Sequence, residues 1–281
     1  MNNESAFIRF FRFFPKLIAA QLMFAVPLAV FTAVFVLIGH LSGFNNIILW
    51  SLGIIPAMPA MAGLTAVVRK IAVEKNDPDI KTVFFTAVKD NFKAFLVYGL
   101  FVYIVLGCTF FSVLYYGSLA AVQGTYLSML FVYLLFTALL TVMMFYIPLM
   151  TITYELRLRD VYKNAMLLIF GKFLRNLAAL GLVILLTAIS YVAIVFSAGF
   201  WFWIALSLVV LFYPLLFCYI SVSIISKPLQ AAVGDFVNVT KEEDDSADDE
   251  AISEALSHSG DSDYVFVNGK MIKAKRDKDN E

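Results

Sequence analysis

Three long stretches of this chain, residues 17 to 68, 94 to 154 and 176 to 226, contain no Asp, Glu, Lys or Arg. Soluble domains carry roughly 25% charged residues; here the share is 15%. The missing charge excludes an ordinary water-exposed fold over those stretches. It also argues against an enzyme, because catalysis draws on titratable groups held in a protected site and the uncharged stretches offer only His40. The chain has no metal-ligand cluster, no phosphate-binding glycine loop and no nucleophile with a nearby base. Neither a metal nor a cofactor is expected, and nucleic acid is not an expected partner. His40 reads as an interfacial side chain at the end of an apolar run, and His258 falls in a polar tail. Cysteine is as scarce as histidine. Cys108 and Cys218 both lie within apolar runs, which leaves no disulfide framework and no metal partners.

What is abundant is apolar surface. Hydrophobic residues make up 61% of the chain and aromatic residues 16%, with 28 Phe. A helix crosses a hydrocarbon core of about 30 Å with about 20 apolar residues, so each uncharged stretch has room for two crossings and a turn. Turn-forming residues mark the reversals: GHLSGFNN at 39–46, YYGSLAAVQGTY at 115–126 and SAGF at 197–200. The expected fold is an all-α membrane protein of six transmembrane helices in a lipid bilayer. They lie near 17–40, 46–68, 94–115, 126–154, 176–197 and 201–226, and pair as three hairpins.

Charge then sets the orientation. Basic residues gather before the first span (Arg9, Arg12, Lys16), after the second (from Arg69 and Lys70 to Lys93) and after the fourth (from Arg157 to Arg175), while the opposite turns carry none. Lys and Arg near span ends are retained on the cytoplasmic side, which places both termini in the cytoplasm. The apolar run from Leu17 to Ile38 exceeds the roughly 7 to 15 residues of a signal-peptide core, so it reads as the first span.

A repeating layout emerges. A short amphipathic stretch precedes each hairpin: 1–16 with Phe7, Phe10, Phe11 and Phe14; a second with Ile80, Val83, Phe84, Ala87 and Val88; a third with Val161, Ala165, Leu168 and Ile169. These read as cytoplasmic interfacial helices with Ser5, Asp77 and Asp160 at N-cap positions. Gly99 and Gly181 match between the second and third units. The layout fits internal duplication, and it equally fits the basic rim that any bundle of hairpins needs.

Each returning helix contains proline, at Pro56 and Pro59, Pro148 and Pro214, and each leads to cytoplasmic anchors at Arg69 and Lys70, Arg157 or Lys227. Proline removes a helical hydrogen bond and kinks the chain, and in lipid the freed carbonyl must be satisfied by neighbouring protein. The kinked start of the second span should therefore face the bundle. Ala57, Ala60, Ala62, Gly63 and Ala66 supply the small side chains that let another helix approach.

The run PAMAGLTAVVRK at 59–70, followed by FFTAVKDNFK, resembles the YesL family of bacterial integral membrane proteins, a family of unknown function. Pro59, Ala60, Leu64, Val67 and Arg69 carry the likeness, which is concentrated between Gly53 and Gly99; the layout is similar over about 5–226. Gly63 stands where Ala is commoner, and the acidic tail is long. The resemblance implies a multi-span protein of the bacterial cytoplasmic membrane, often encoded near sugar-uptake genes, with no catalytic residues to carry over.

Two functional readings follow. One is an accessory or regulatory protein of carbohydrate uptake that binds a membrane transport partner or a cytosolic protein. The other is a transporter of neutral solutes, for which Gln21, Asn45, Asn46, Gln123 and tyrosines such as Tyr98, Tyr103, Tyr146, Tyr213 and Tyr219 supply polar groups. Ion-coupled pumping normally leaves an intramembrane carboxylate, and the spans have none. The tail bears on the first reading. Residues 227–263 are acidic and read as a disordered linker, whereas 264–281 place Asn268 and Gly269 between two β-prone runs as a hairpin turn. Tyr264, Phe266, Asn268, Gly269 and Met271 would form a docking peptide.

The orientation has a direct check. Single cysteines at Asn45, Gln123 and Ala198 should react with an impermeant thiol reagent outside intact cells, and those at Lys75, Lys163 and Asp245 should not; the reverse labelling would overturn it.

Overall fold

The computed structural model describes the backbone of residues 6–120, 122–154, 156–258, 264–267 and 270–273; side chains are described for residues 8–230 except 121, 155 and 228. Helices run in the order α1 (Ala6–Arg12), α2 (Phe14–Ser42), α3 (Ile47–Ser51), α4 (Ile54–Ala72), α5 (Ile80–Asp90), α6 (Phe92–Ala120), α7 (Thr125–Thr153), α8 (Leu158–Gly171), α9 (Phe173–Val195) and α10 (Phe200–His258). Two short strands follow, β1 (Tyr264–Val267) and β2 (Lys270–Lys273). Residues 1–227 make one compact unit and 228–281 another.

Six spans long and apolar enough to cross a membrane emerge: Phe14–Ser42, Ile47–Ala72, Phe92–Ala120, Thr125–Thr153, Phe173–Val195 and Phe200–Lys227. They coincide with the six expected from the charge-free stretches and make the chain a multi-pass membrane protein. Large apolar side chains line their outer faces, among them Leu37, Phe111, Phe131, Leu135, Ile184 and Val192. Such a surface fits contact with a lipid bilayer. The amphipathic helices α1, α5 and α8 precede the three hairpins, as the repeating layout requires.

The second span is two helices rather than the single one expected, and Pro56 explains the break. Proline has no N–H to give Leu52, so the Leu52 carbonyl accepts from Ile55 N at 3.1 Å, and the i to i−3 bonds of Leu52 and Gly53 tighten the junction. Asn46 starts α3, its Oδ1 accepting from Ile48 N at 3.0 Å. Pro56 then sits in the first turn of α4, where an N–H would have had no intrahelical partner anyway.

Helix α4 is the centre of the bundle. Half of its span is buried, against 11% for the first and fifth spans, and α1, α2, α5, α6 and α7 all touch it. Glycine sets how closely they come. A Cβ at Gly53 would lie 2.6 Å from the Thr32 backbone nitrogen of α2, and one at Gly99 of α6 would lie 2.9 Å from the Ile55 carbonyl oxygen and Met58 Cβ of α4. A Cβ at Gly63 would meet the buried ring of Phe84, on α5, at 2.5 Å. Gly181, the sequence counterpart of Gly99, has nothing within 4 Å of such a Cβ. The two matched glycines therefore do different jobs, and their match gives no support to internal duplication.

The short helices differ in detail from the expected pattern. The N-cap of α5 is Asp79, not Asp77, and that of α8 is Arg157, not Asp160. Asp77 instead pairs with Lys16, while Asp160 occupies the first turn of α8, where a negative charge suits the helix dipole. Ser5 lies outside the described residues. In α5 only Phe84 of the expected apolar face is buried. In α8 Val161, Ala165 and Ile169 are buried. Phe11 of α1 is exposed, whereas Phe10 packs edge-on against Tyr219 and Phe14 stacks on Phe212. The first amphipathic segment thus docks onto the bundle on one face.

Helix α10 continues past its apolar span to His258, through the segment whose acidic composition reads as a disordered linker. The same segment holds five Ala and four Glu, both strong helix formers, beside seven Asp, and its backbone is helical as far as His258.

The close approach at Gly53 generates a test. Gly53→Ala must push α2 off α4 and should lower stability in detergent by about 1 to 3 kcal/mol, the usual range for overpacking. Gly107→Ala, which meets nothing within 4 Å, should leave the melting temperature of the purified protein unchanged.

Candidate functional site

The polar groups buried in the spans are few, and their partners reveal what they do. Proline at position i leaves the carbonyl of residue i−4 without its helical donor. Pro148 in α7 frees the Met144 carbonyl, and the Tyr98 hydroxyl of α6 donates to it at 3.1 Å. Pro214 in α10 frees the Val210 carbonyl, and Gln21 of α2 donates to it through Nε2 at 3.3 Å. Pro59 in α4 frees the Ile55 carbonyl, against which Gly99 brings the backbone of α6. Two of the freed carbonyls therefore accept a side-chain donor from a neighbouring helix, a third lies against the backbone at Gly99, and the Leu52 carbonyl freed by Pro56 is met locally by Ile55 N. Pro27 also lies inside a helix, α2, and was not singled out in the sequence.

A further cluster joins α7, α8 and α9. Asn176, at the start of α9, donates through Nδ2 to the Leu168 and Ile169 carbonyls in the last turn of α8, both at 2.9 Å. Its Oδ1 accepts from the Tyr146 hydroxyl at 2.7 Å. One buried amide thus satisfies a helix end and fixes two helices to it. Spacing alone gave no hint of this residue; the signal would have been a lone amide directly after a glycine-terminated amphipathic helix. Tyr213 bonds Thr187 at 3.0 Å, and the Cys218 thiol lies 3.7 Å from Thr65 Oγ1. Gln21, Tyr98, Tyr146 and Tyr213, which the sequence offers as solute contacts, are all engaged in fastening helices.

The cytoplasm-facing end expected from the charges has its own bonds. Arg9 reaches the Ala72 carbonyl at the end of α4, with Nη1 donating at 2.7 Å, where a cation suits the helix C-terminus. Arg69 pairs with Glu74 at 3.3 Å, and Lys70 shares the last turn of α4. Arg157 precedes α8, and Lys227 is exposed at the end of the sixth span. Asp79 accepts from the Thr82 hydroxyl at 2.5 Å, which holds its carboxyl below the usual range. Tyr162 of α8 is pushed up to about 12 by burial.

An open cavity lies at the opposite end. It has a volume of about 1110 Å³ and is lined from Leu28 to His40 of α2, by Asn45, by Trp50 and Ser51 of α3, and by Ile54 and Val210. Its walls are mostly apolar. Below it the bundle is filled: Leu17, Ala20, Gln21 and Leu215 are fully buried. In the tail, β1 and β2 pair antiparallel with Tyr264 opposite Lys273 and Phe266 opposite Met271. Asn268 and Gly269, the expected turn, lie outside the described residues.

With this geometry in view, comparison with known proteins gives a family match. Residues 28–113 match the family described as "Protein of unknown function, DUF624". The matched segment runs from the middle of α2 into α6 and contains Gly53, Pro56, Pro59, Ala60, Gly63 and Gly99, the residues that build the contacts around α4. No curated protein and no solved structure matches the chain.

Proposed function

We propose that this chain is a non-enzymatic accessory or regulatory protein of the bacterial cytoplasmic membrane, with both termini in the cytoplasm, that serves carbohydrate uptake by binding a partner. One observation carries this reading: four of the buried polar side chains of the spans, Gln21, Tyr98, Tyr146 and Asn176, bond to neighbouring helices. A solute path needs polar groups that are free to exchange partners. The resemblance to the YesL family, often encoded beside sugar-uptake genes, supports the same reading, as does the absence of charge from the spans. The partner is a membrane transport protein, or a cytosolic protein held by the tail.

A second reading, a facilitator of neutral solutes, draws on the cavity of about 1110 Å³ among α2, α3, α4 and α10. A carrier would have to open the filled layer of Leu17, Ala20 and Leu215 beneath it.

The tail provides the test. Deleting residues 264–281 should leave the membrane part folded, because the spans satisfy their own backbone groups, and should reduce capture of the native partner from membranes. Replacing Asn268 and Gly269 by valines should do the same, since a two-residue hairpin turn needs positive φ that β-branched residues resist. Equal recovery of the same partners by all three forms would overturn the docking role and favour the facilitator.

A further inference from the structure

We infer that the outward face of α8 is a binding surface for anionic phospholipid, with Arg159 and Lys163 holding the phosphate and Met166 and Phe170 lying against acyl chains. The chain first fixes where α8 runs. Only residues 154–157 separate it from α7 and only Lys172 separates it from α9, so both of its ends stay at the ends of spans and it follows the membrane boundary. Asn176 then fixes how it is turned. Bonds from this amide to the Leu168 and Ile169 carbonyls, and from Tyr146 to the amide, hold α8 to α9 and α7. Val161, Ala165 and Ile169 are the residues buried by that attachment.

The opposite side carries the surface. Arg159, Lys163, Met166 and Phe170 follow one another at steps of four, three and four residues, which sets them in one stripe along a helix. All four are exposed, Met166 by 59% and Phe170 by 68%. Leu167 of α8 is exposed too, as are Phe173 and Leu174 at the start of α9. A run of large apolar side chains marks a contact surface, and at a bilayer boundary the contact is lipid. A common interfacial helix keeps its bases on the side opposite its apolar residues, in water. In α8 the bundle occupies that opposite side, so the bases share the lipid-facing stripe and are directed at headgroups.

Charge decides the class of headgroup. Residues 158–175 hold four bases, Arg159, Lys163, Lys172 and Arg175, against one acid, Asp160. Among the described residues the ion pairs are Lys16 with Asp77 and Arg69 with Glu74, so neither Arg159 nor Lys163 is neutralised by a carboxylate. The phosphate of an anionic lipid supplies the missing charge. A second copy of this chain could not supply it through its uncharged stretches, which contain no Asp or Glu. Helix α5 provides the contrast: Lys81 and Lys89 are exposed there, but Phe85 is its one large exposed apolar side chain. It offers charge with little apolar surface. The surface on α8 is independent of the tail, of any role in uptake and of which side of the membrane it faces.

A tryptophan reporter placed in the stripe reads the lipid directly. Trp50, Trp201 and Trp203 would be replaced by Phe, and Phe170→Trp or Met166→Trp introduced as alternative reporters. In phosphatidylcholine nanodiscs, phosphatidylglycerol brominated in its acyl chains should quench the reporter about twofold more than phosphatidylcholine with the same brominated chains at equal mole fraction, as attraction to adjacent bases enriches the anionic lipid. Arg159→Gln together with Lys163→Gln should remove at least half of that preference. Lys81→Gln together with Lys89→Gln, on α5, should leave it unchanged. Circular dichroism and thermal melting identify the folded variants, and either folded reporter decides. Equal quenching by the two lipids would overturn the proposal, as would a preference that survives loss of Arg159 and Lys163. Absence of quenching by both lipids would place the stripe in water or against protein and would overturn it too.

Discussion

A carbonyl that proline has stripped of its donor cannot turn to water inside a bilayer, and leaving it bare costs several kcal/mol in an apolar medium. This constraint organises the bundle. Pro148, Pro214 and Pro59 expose Met144, Val210 and Ile55, and a neighbouring helix meets each: α6 through Tyr98, α2 through Gln21, and α6 again through its backbone at Gly99. Every one of these contacts joins elements far apart in sequence. The prolines thereby convert a local defect into specific helix pairing, which lipid-facing apolar side chains cannot provide because lipid tails are equally apolar.

Close packing around α4 supplies the complementary contacts. Gly53, Gly63 and Gly99 let α2, α5 and α6 come within distances that a single methyl group would forbid. Small residues at such crossings allow van der Waals contact along the backbones, the main source of helix association in membranes. The match to a family over 28–113 covers this hub and stops short of α7 to α10. The matched residues include the contacts around α4 and the α2 and α3 lining of the cavity. Apart from Val210, the lining residues all fall within 28–54.

Much of the fold was legible because the period and length of apolar runs report directly on spans, and the six expected helices appear where the charges end. The inward face of the second span was legible as well, since prolines in lipid demand protein neighbours. The break at Leu52 and Gly53 was hidden, because it depends on which carbonyl accepts from Ile55, a choice made by local geometry. The donors to the freed carbonyls were hidden for a different reason. Sequence names Tyr98 and Gln21 as polar groups in apolar spans, yet only the three-dimensional register shows that each faces a residue four positions before a proline. Asn176 was missed entirely, and Gly99 and Gly181 looked equivalent although only one meets a neighbour. The cavity was hidden although all of its lining but Val210 falls within 28–54, because it depends on how α2 and the broken second span separate at their outer ends.

The central claim is that neighbouring side chains stabilise this bundle by covering carbonyls that proline exposes, and a double-mutant cycle on Tyr98 and Pro148 measures it. Unfolding free energies would be taken in detergent for the native protein, Tyr98→Phe, Pro148→Ala and the double variant. In the native background, loss of the hydroxyl should cost about 1 to 2 kcal/mol, the range for interhelical hydrogen bonds in membrane peptides. With alanine at 148 a backbone N–H returns to Met144, and the same loss should cost less than half as much. An equal cost in both backgrounds would contradict the account, because the hydroxyl would then stabilise the bundle without regard to the proline.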